Sequence, residues 1–227
     1  MNKKISGFHF LTQDLPHYSH EKQVQTACEA GVKWIQLRIK NRNEEEWLQI
    51  AEHARAITAQ FDVKLLINDH PYIAKKIGAD GVHLGQDDMP WTEARKILGR
   101  DSIIGLSTHT MEQLLDLKNA EIDYVGLGPF RLSGTKQNQY SFLQAEGIKT
   151  IISGARKAGM MKPVIAIGGI QLTDVESIFG VNANGVAVSS AVSLSGNPGQ
   201  SIREFINECG VSEANSGIHT YFNVIQL

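Results

Sequence analysis

Short, mostly apolar runs with the composition of β-strands recur along the chain at 7–11, 33–37, 63–67, 81–84, 103–106, 124–126, 164–167 and 185–188. A longer stretch with helical spacing of its apolar positions follows each run. The stretch after the second run shows how these helices begin. Asn43 is placed to cap, Glu46 stands three residues on, and Trp47, Ile50, Ala51, Ala54 and Ile57 share one face. Further starts are predicted at Thr110 with Gln113, at Thr173 with Glu176, and at Asn197 followed by Pro198.

The eight runs are continuously apolar, as parallel strands covered on both faces are, whereas a sheet with one wet face alternates. Eight β-α units predict a single (βα)8 TIM barrel with a parallel eight-stranded core over 1–210 and a tail at 211–227 with no assigned role. The rival is an open doubly wound sheet, which carries a glycine-rich loop after its first strand. Here the first run leads into Thr12-Gln13-Asp14, with no such loop. The tail ends in the short apolar motif Tyr221-Phe222-Asn223-Val224-Ile225.

Composition narrows the function classes. With 22 basic against 24 acidic residues the formal charge is -2, so no global field draws the chain to nucleic acid or an anionic membrane. Cys28 and Cys209 lie far apart without a CxxC pattern, which argues against a zinc site or a disulfide framework and fits a reducing cytoplasm. The start is basic, but Ser6, His9 and Gln13 interrupt the apolar run and no small-residue cleavage signal follows, so neither a leader nor a membrane span is expected. A cytoplasmic protein is predicted, and a homodimer stays open.

In a barrel of this class the catalytic face lies at the C-terminal ends of the strands. Polar residues collect there: Gln36, Arg38 and Lys40 after the second run, Asn68 and Asp69 after the third, and Gln86, Asp87 and Asp88 after the fourth. Ser107 and Thr108 follow the fifth, a long loop at 128–136 the sixth, Gly168-Gly169 the seventh and Ser189-Ser190 the eighth. Singly, Asp69 reads equally well as a cap for a helix near Pro71, and Asp87 or Asp88 as a cap for one near Trp91. Together they point to chemistry. Successive parallel strands lie about 4.8 Å apart, so Asp69 and one of Asp87 and Asp88 can share a cation, and oxygen ligands without His or Cys favour Mg2+. Arg38, Lys40 and Lys136 call for a multiply charged anion such as a diphosphate. The glycine pair and the serine pair suggest a second, monophosphate-bearing ligand. No nucleophilic triad is visible; His83 reads as a core or supporting group, and His70 and His109 as weak acid–base candidates.

These residues resemble the thiamine phosphate synthase family, from Phe8 to Gly210. The resemblance is carried by Gln36-Leu37-Arg38-Ile39-Lys40, Leu66-Ile67-Asn68-Asp69, Val82-His83-Leu84-Gly85-Gln86-Asp87-Asp88, Gly128-Pro129-Phe130, Thr135-Lys136, Ala166-Ile167-Gly168-Gly169-Ile170 and Gly185-Val186-Ala187-Val188. It implies a transferase that joins hydroxymethylpyrimidine diphosphate to thiazole phosphate, giving thiamine phosphate and diphosphate by a dissociative, Mg2+-assisted substitution. It further implies that Gln36, Arg38, Lys40, Asn68, Ser107 and Lys136 hold the pyrimidine diphosphate. By the same resemblance Asp69 and Asp88 hold Mg2+, while Ser133, Thr135, Gly169, Ser189 and Ser190 face the thiazole phosphate. Two features depart from the family pattern: Arg131-Leu132-Ser133-Gly134 stands where Phe-Pro-Thr is more usual, and Ser189 where an aliphatic residue is common. Arg131 reads either as an added phosphate contact or as a solvated charge.

The nearest rival is a thiazole tautomerase-like barrel, whose acid–base histidine follows the glycine where this chain has Pro129. A phosphate-binding isomerase or epimerase needs a dedicated base at a strand end, and a non-catalytic precursor-binding barrel needs no intact clamp.

Overall fold

The eight apolar runs form eight parallel strands in the computed structural model, which describes residues 3–40, 42–131 and 141–216. They are β1 (Phe8–Leu11), β2 (Trp34–Leu37), β3 (Lys64–Asn68), β4 (Gly81–Leu84), β5 (Ile103–Thr108), β6 (Tyr124–Leu127), β7 (Val164–Ile167) and β8 (Gly185–Val188). Each pairs with its sequence neighbour, and β8 returns to β1 through Phe8↔Val186 and Phe10↔Val188, closing the barrel. Closure leaves no free sheet edge.

Around it run α1 (His20–Glu29), α2 (Glu44–Gln60), α3 (Pro71–Lys76), α4 (Trp91–Leu98), α5 (Met111–Asp116), α6 (Gln144–Lys157), α7 (Val175–Gly180), a single turn α8 (Ser190–Ser193) and α9 (Pro198–Ser216). The expected caps form at three starts. Asn43 and Glu46 make a reciprocal capping box, Thr110 accepts from Gln113 N–H, and Asn197 accepts from Gln200 N–H. Thr173 does not cap. It lies instead within a 3₁₀ turn at Leu172–Asp174 that precedes α7, where the Asp174 carboxylate accepts from the Gln171 N–H at 2.7 Å. Nor do Asp69, Asp87 and Asp88 cap: the residues before α3 and α4 are His70 and Pro90, neither with a side-chain cap bond. Helix α9 continues through residues 211–216, with Ser212 buried, and packs on α1, α7 and α8. The motif at 221–225 lies outside the described residues. Among the described residues no helix is long and apolar enough to cross a membrane.

Two apolar cores result. The larger fills the layer between strands and helices, where Phe8 of β1 stacks on Phe205 of α9 at 5.5 Å. The smaller fills the barrel itself with Leu11, Trp34, Leu66, Ile103, Tyr124, Ile165 and Ala187. His9 joins it, stacked on Trp34 at 4.4 Å and edge-on to Tyr124 at 5.3 Å. The Tyr124 ring fits because the neighbouring position 105 carries no side chain, and Gly81 lets the Ile103 backbone approach. A Cβ at Gly105 would lie 2.2 Å from Tyr124 Cζ, and one at Gly81 would lie 2.0 Å from the Ile103 carbonyl oxygen.

Burial pushes the His9 pKa from 6.5 to about 3, helped by the nearby His83. Between those values the unfolded chain binds a proton that the folded one rejects. The stability from a neutral His9 is therefore complete above pH 6.5 and declines, by up to about 1.4 kcal/mol per pH unit, as the pH falls towards 3. Urea unfolding at pH 7.5 and pH 5 is expected to show a larger acid loss in the parent than in His9→Asn. Equal losses in the two proteins would remove His9 from the acid response.

Candidate active site

Where the strands end, the barrel opens into a pocket lined by Gln36, Arg38, Asn68, Ser107, Gly169, Ser189 and Ser190, among others. Its floor is set by register. Gln36 stands opposite Leu66 across β2 and β3, and its Nε2 donates to Asn68 Oδ1 at 2.6 Å. Both side chains are buried.

One wall is built from the barrel interior upward. The Tyr124 hydroxyl lies 2.8 Å from His83 Nδ1, and His83 Nε2 lies 2.9 Å from Ser107 Oγ. Burial raises the Tyr124 pKa far above its ordinary value, so the phenol keeps its proton. A phenol donating to Nδ1 places the ring hydrogen on Nε2, which then donates to Ser107 and leaves the serine hydroxyl hydrogen for the pocket. Gln86 Nε2 donates to the Ser107 carbonyl and secures the same residue from outside.

The rim carries the charges. Lys40 Nζ pairs with Asp69 Oδ2 at 2.9 Å, and the Asp69 and Asp88 carboxyls are close enough to shift each other's proton affinity. Asp88 also accepts from Gly85 N–H at 2.6 Å, while Asp87 is exposed. Asp69 adopts φ 66°, a left-handed conformation that aspartate tolerates better than most residues, and its N–H donates to the His83 carbonyl at 2.9 Å. Burial and the neighbouring Asp69 push the Asp88 pKa up to about 6. Burial works the same way on Asp69, but the contacts with Asp88 and Lys40 hold its carboxyl below the usual range. The pair therefore takes up its second negative charge reluctantly. Among the described residues no group of three or more His, Cys, Asp or Glu is placed to hold a metal ion.

Across the pocket, Gly168 at φ 103° and Gly169 at φ 67° turn the chain after β7. A Cβ on Gly168 would lie 2.8 Å from Pro129 Cα, so the turn can approach the 128–131 segment only as glycine. Phe130 N–H and Arg131 N–H donate to the Ile167 and Gly168 carbonyls at 2.9 and 3.0 Å, joining the two segments.

The thiamine monophosphate synthase family model matches residues 9–192. The chain belongs to this family. A Bacteroides fragilis protein named thiamine-phosphate synthase is 38% identical over 198 residues, covering 87% of this chain and 97% of its own length. A Leptospira biflexa protein of the same name is 40% identical over 205 residues, covering 87% and 95%. The solved thiamine phosphate pyrophosphorylase from Pyrococcus furiosus superposes with a TM-score of 0.80 at 27% identity, covering 91% of this chain and 96% of that one. This family member is accordingly an enzyme, a transferase on an eight-stranded parallel barrel.

Its departures from the family pattern have structural explanations in part. The Arg131 guanidinium pairs with Asp174 at 2.7 Å, donates to the carbonyl of the pocket residue Gly169 at 3.5 Å and lies 5.1 Å from the centre of the Phe130 ring, with 42% of the side chain exposed. Ser133, Thr135 and Lys136 lie outside the described residues. Of the histidines, His109 lines the pocket and shares a 2.6 Å hydrogen bond with the Gly128 carbonyl, whereas His70 is exposed and edge-on to Trp47. Gln13 is a pocket residue that residue chemistry alone does not single out. Its buried Nε2 has no partner among the described residues. Period-two alternation from His9 and Leu11 puts position 13 on the inner face, a signal present in the sequence.

Relieving the contact between like charges should stabilise the metal-free protein. Asp88→Asn keeps an oxygen for Gly85 N–H, so its thermal midpoint at pH 8 without divalent cations is expected to rise by a few degrees; a fall would show that the charge pair is not under strain.

Proposed function

We propose that this transferase condenses hydroxymethylpyrimidine diphosphate with thiazole phosphate, forming thiamine phosphate and releasing diphosphate by a dissociative substitution. The observation that supports it best is the rim: two adjacent carboxylates with Lys40 on one of them, beside a pocket lined by Arg38 and floored by Gln36 and Asn68. Two neighbouring carboxylates, one of them, Asp88, with a raised proton affinity, fit a divalent cation, and their oxygen-only chemistry fits Mg2+. Asp69 and Asp88 would hold the ion, and when bound it would neutralise charge on the diphosphate oxygens.

The protein's own groups do the rest. Arg38, Lys40 and Lys136 bind the diphosphate and stabilise the negative charge that gathers on it as the carbon–oxygen bond breaks. Gln36 and Asn68 use one amide half on each other and keep Gln36 Oε1 and Asn68 Nδ2 for the pyrimidine. Ser107, oriented by His83, offers its hydroxyl to the same substrate. Leu11, Ile167, Ile170 and Val188 make the pocket wall apolar and keep water from the pyrimidine cation. Ser133, Thr135, Gly169, Ser189 and Ser190 face the thiazole phosphate and bring its ring nitrogen to the cation. The nitrogen attacks with its own lone pair, so no protein nucleophile is required.

Purified protein with both substrates and Mg2+ is expected to yield thiamine phosphate and diphosphate in equal amounts. Folded protein giving no product above a no-enzyme control overturns the assignment. Asp69→Asn and Asp88→Asn should each lower kcat by roughly 100-fold, the usual effect of removing a group that supports developing charge. Turnover unchanged at limiting Mg2+ would take that residue out of the metal site. Lys136→Ala should slow the reaction to a similar degree, and a rate equal to the parent's would separate Lys136 from the diphosphate.

A further inference from the structure

Thr12, Asp14 and His20 take no part in the chemistry above, yet they form one of the most completely satisfied polar groups in the molecule. Thr12 follows β1 and is fully buried, and His20 opens α1 with its side chain 5% exposed. The imidazole bridges the other two: Nδ1 lies 2.9 Å from Thr12 Oγ1, and Nε2 lies 3.2 Å from Asp14 Oδ1. Each of those side chains in turn accepts a backbone hydrogen from the segment after β2. Arg38 N–H donates to Thr12 Oγ1 at 3.0 Å, and Lys40 N–H donates to Asp14 Oδ2 at 2.8 Å.

The proton inventory admits one neutral arrangement. A carboxylate only accepts, so His20 carries its hydrogen on Nε2 and donates to Asp14. Nδ1 must then accept, and the Thr12 hydroxyl donates to it, leaving its lone pairs for Arg38 N–H. Burial holds the His20 pKa below its ordinary value against the opposing pull of Asp14 and Glu21, which keeps the ring in this neutral form.

The location explains the need. The backbone ladder between β1 and β2 reaches its last rung at Thr12 N–H to the Gln36 carbonyl, 3.1 Å. Beyond it no main-chain hydrogen bond among the described residues holds the segment that bears the two cations of the rim. Alternate N–H groups of a strand face the same neighbour, so those of Arg38 and Lys40 continue towards β1, and there side-chain oxygens replace backbone carbonyls.

We propose that Thr12, Asp14 and His20 are positioning residues that extend the β1–β2 ladder through their side chains, setting the backbone of Arg38 and Lys40 so that both cations address one organic diphosphate. The inference rests on the reading of the rim as a diphosphate site. Loss of the brace acts on that ligand and leaves the thiazole phosphate side, across the pocket, unaffected.

The test uses the full chain, with Mg2+ and inorganic diphosphate as the calorimetric probe and steady-state kinetics in each substrate separately. Thr12→Val keeps the shape and removes both hydrogen bonds; Thr12→Ser keeps the hydroxyl. Thr12→Val and His20→Ala are expected to weaken diphosphate binding by roughly tenfold and to raise KM for the pyrimidine diphosphate in step, with KM for thiazole phosphate unchanged. Thr12→Ser should restore parental values. Thermal midpoints of the same samples score folding separately, and Asp14→Asn, which keeps one acceptor for Lys40 N–H, carries the test if Thr12→Val does not fold. Parental binding of diphosphate with folded variants that bind it equally well overturns the brace alone, as does an equal rise in both KM values. A parent protein that binds no diphosphate overturns the reading of the rim and this inference with it.

Discussion

The aromatic packing inside the barrel is the contact on which the rest of the molecule depends. Eight short parallel strands close around a space that side chains must fill, and His9, Trp34 and Tyr124 fill it with one stacked and two edge-on contacts. Gly105 gives up its side chain so that Tyr124 fits. The price is a histidine that must stay neutral. The return is a rigid platform: Tyr124 belongs to this plug and also meets His83, which meets Ser107, so one side chain links the packed interior to the pocket wall. A pocket residue placed by a core residue has little freedom to misalign.

Above the plug the backbone ladder runs out, and side chains take over the work of holding the chain. Thr12 and Asp14 take up the N–H groups of Arg38 and Lys40, Asp88 takes up that of Gly85, and Asp174 takes up that of Gln171. Each is an oxygen acceptor serving a backbone donor that has left the sheet, which is why short polar residues crowd the first positions after the strands. The same device also aims functional groups. Asp88 holds its own loop through Gly85 while its carboxyl neighbours Asp69, so local structure and electrostatics are one arrangement there.

The two sides of the pocket are built on different principles. On the rim of β2 to β4 charges are concentrated, and Asp69 is held in a left-handed backbone conformation beside a second carboxylate. Across the pocket the chain relies on bare backbone: Gly168 approaches Pro129 too closely for any side chain, and Arg131 serves the architecture by tying its segment to Asp174. One side is thus charged and conformationally strained, and the other is built of small residues and bare backbone.

Much of this was legible along the chain. Continuous apolar runs alternating with amphipathic stretches determined a covered parallel sheet, and eight of them in one domain-sized chain determined closure, since period and length act locally on every segment. Strand-end placement also determined that Gln36, Arg38, Asn68, Ser107, Gly169, Ser189 and Ser190 would meet in one pocket, because a parallel barrel sends all its C-terminal strand ends to the same face. What only the tertiary structure decided depends on distances between residues remote in sequence. The pairing of Arg131 with Asp174, the chain from Tyr124 through His83 to Ser107, and the bridge of His20 between Thr12 and Asp14 are all of this kind. Periodicity tells which way a side chain faces; it does not tell which atom waits for it on another strand.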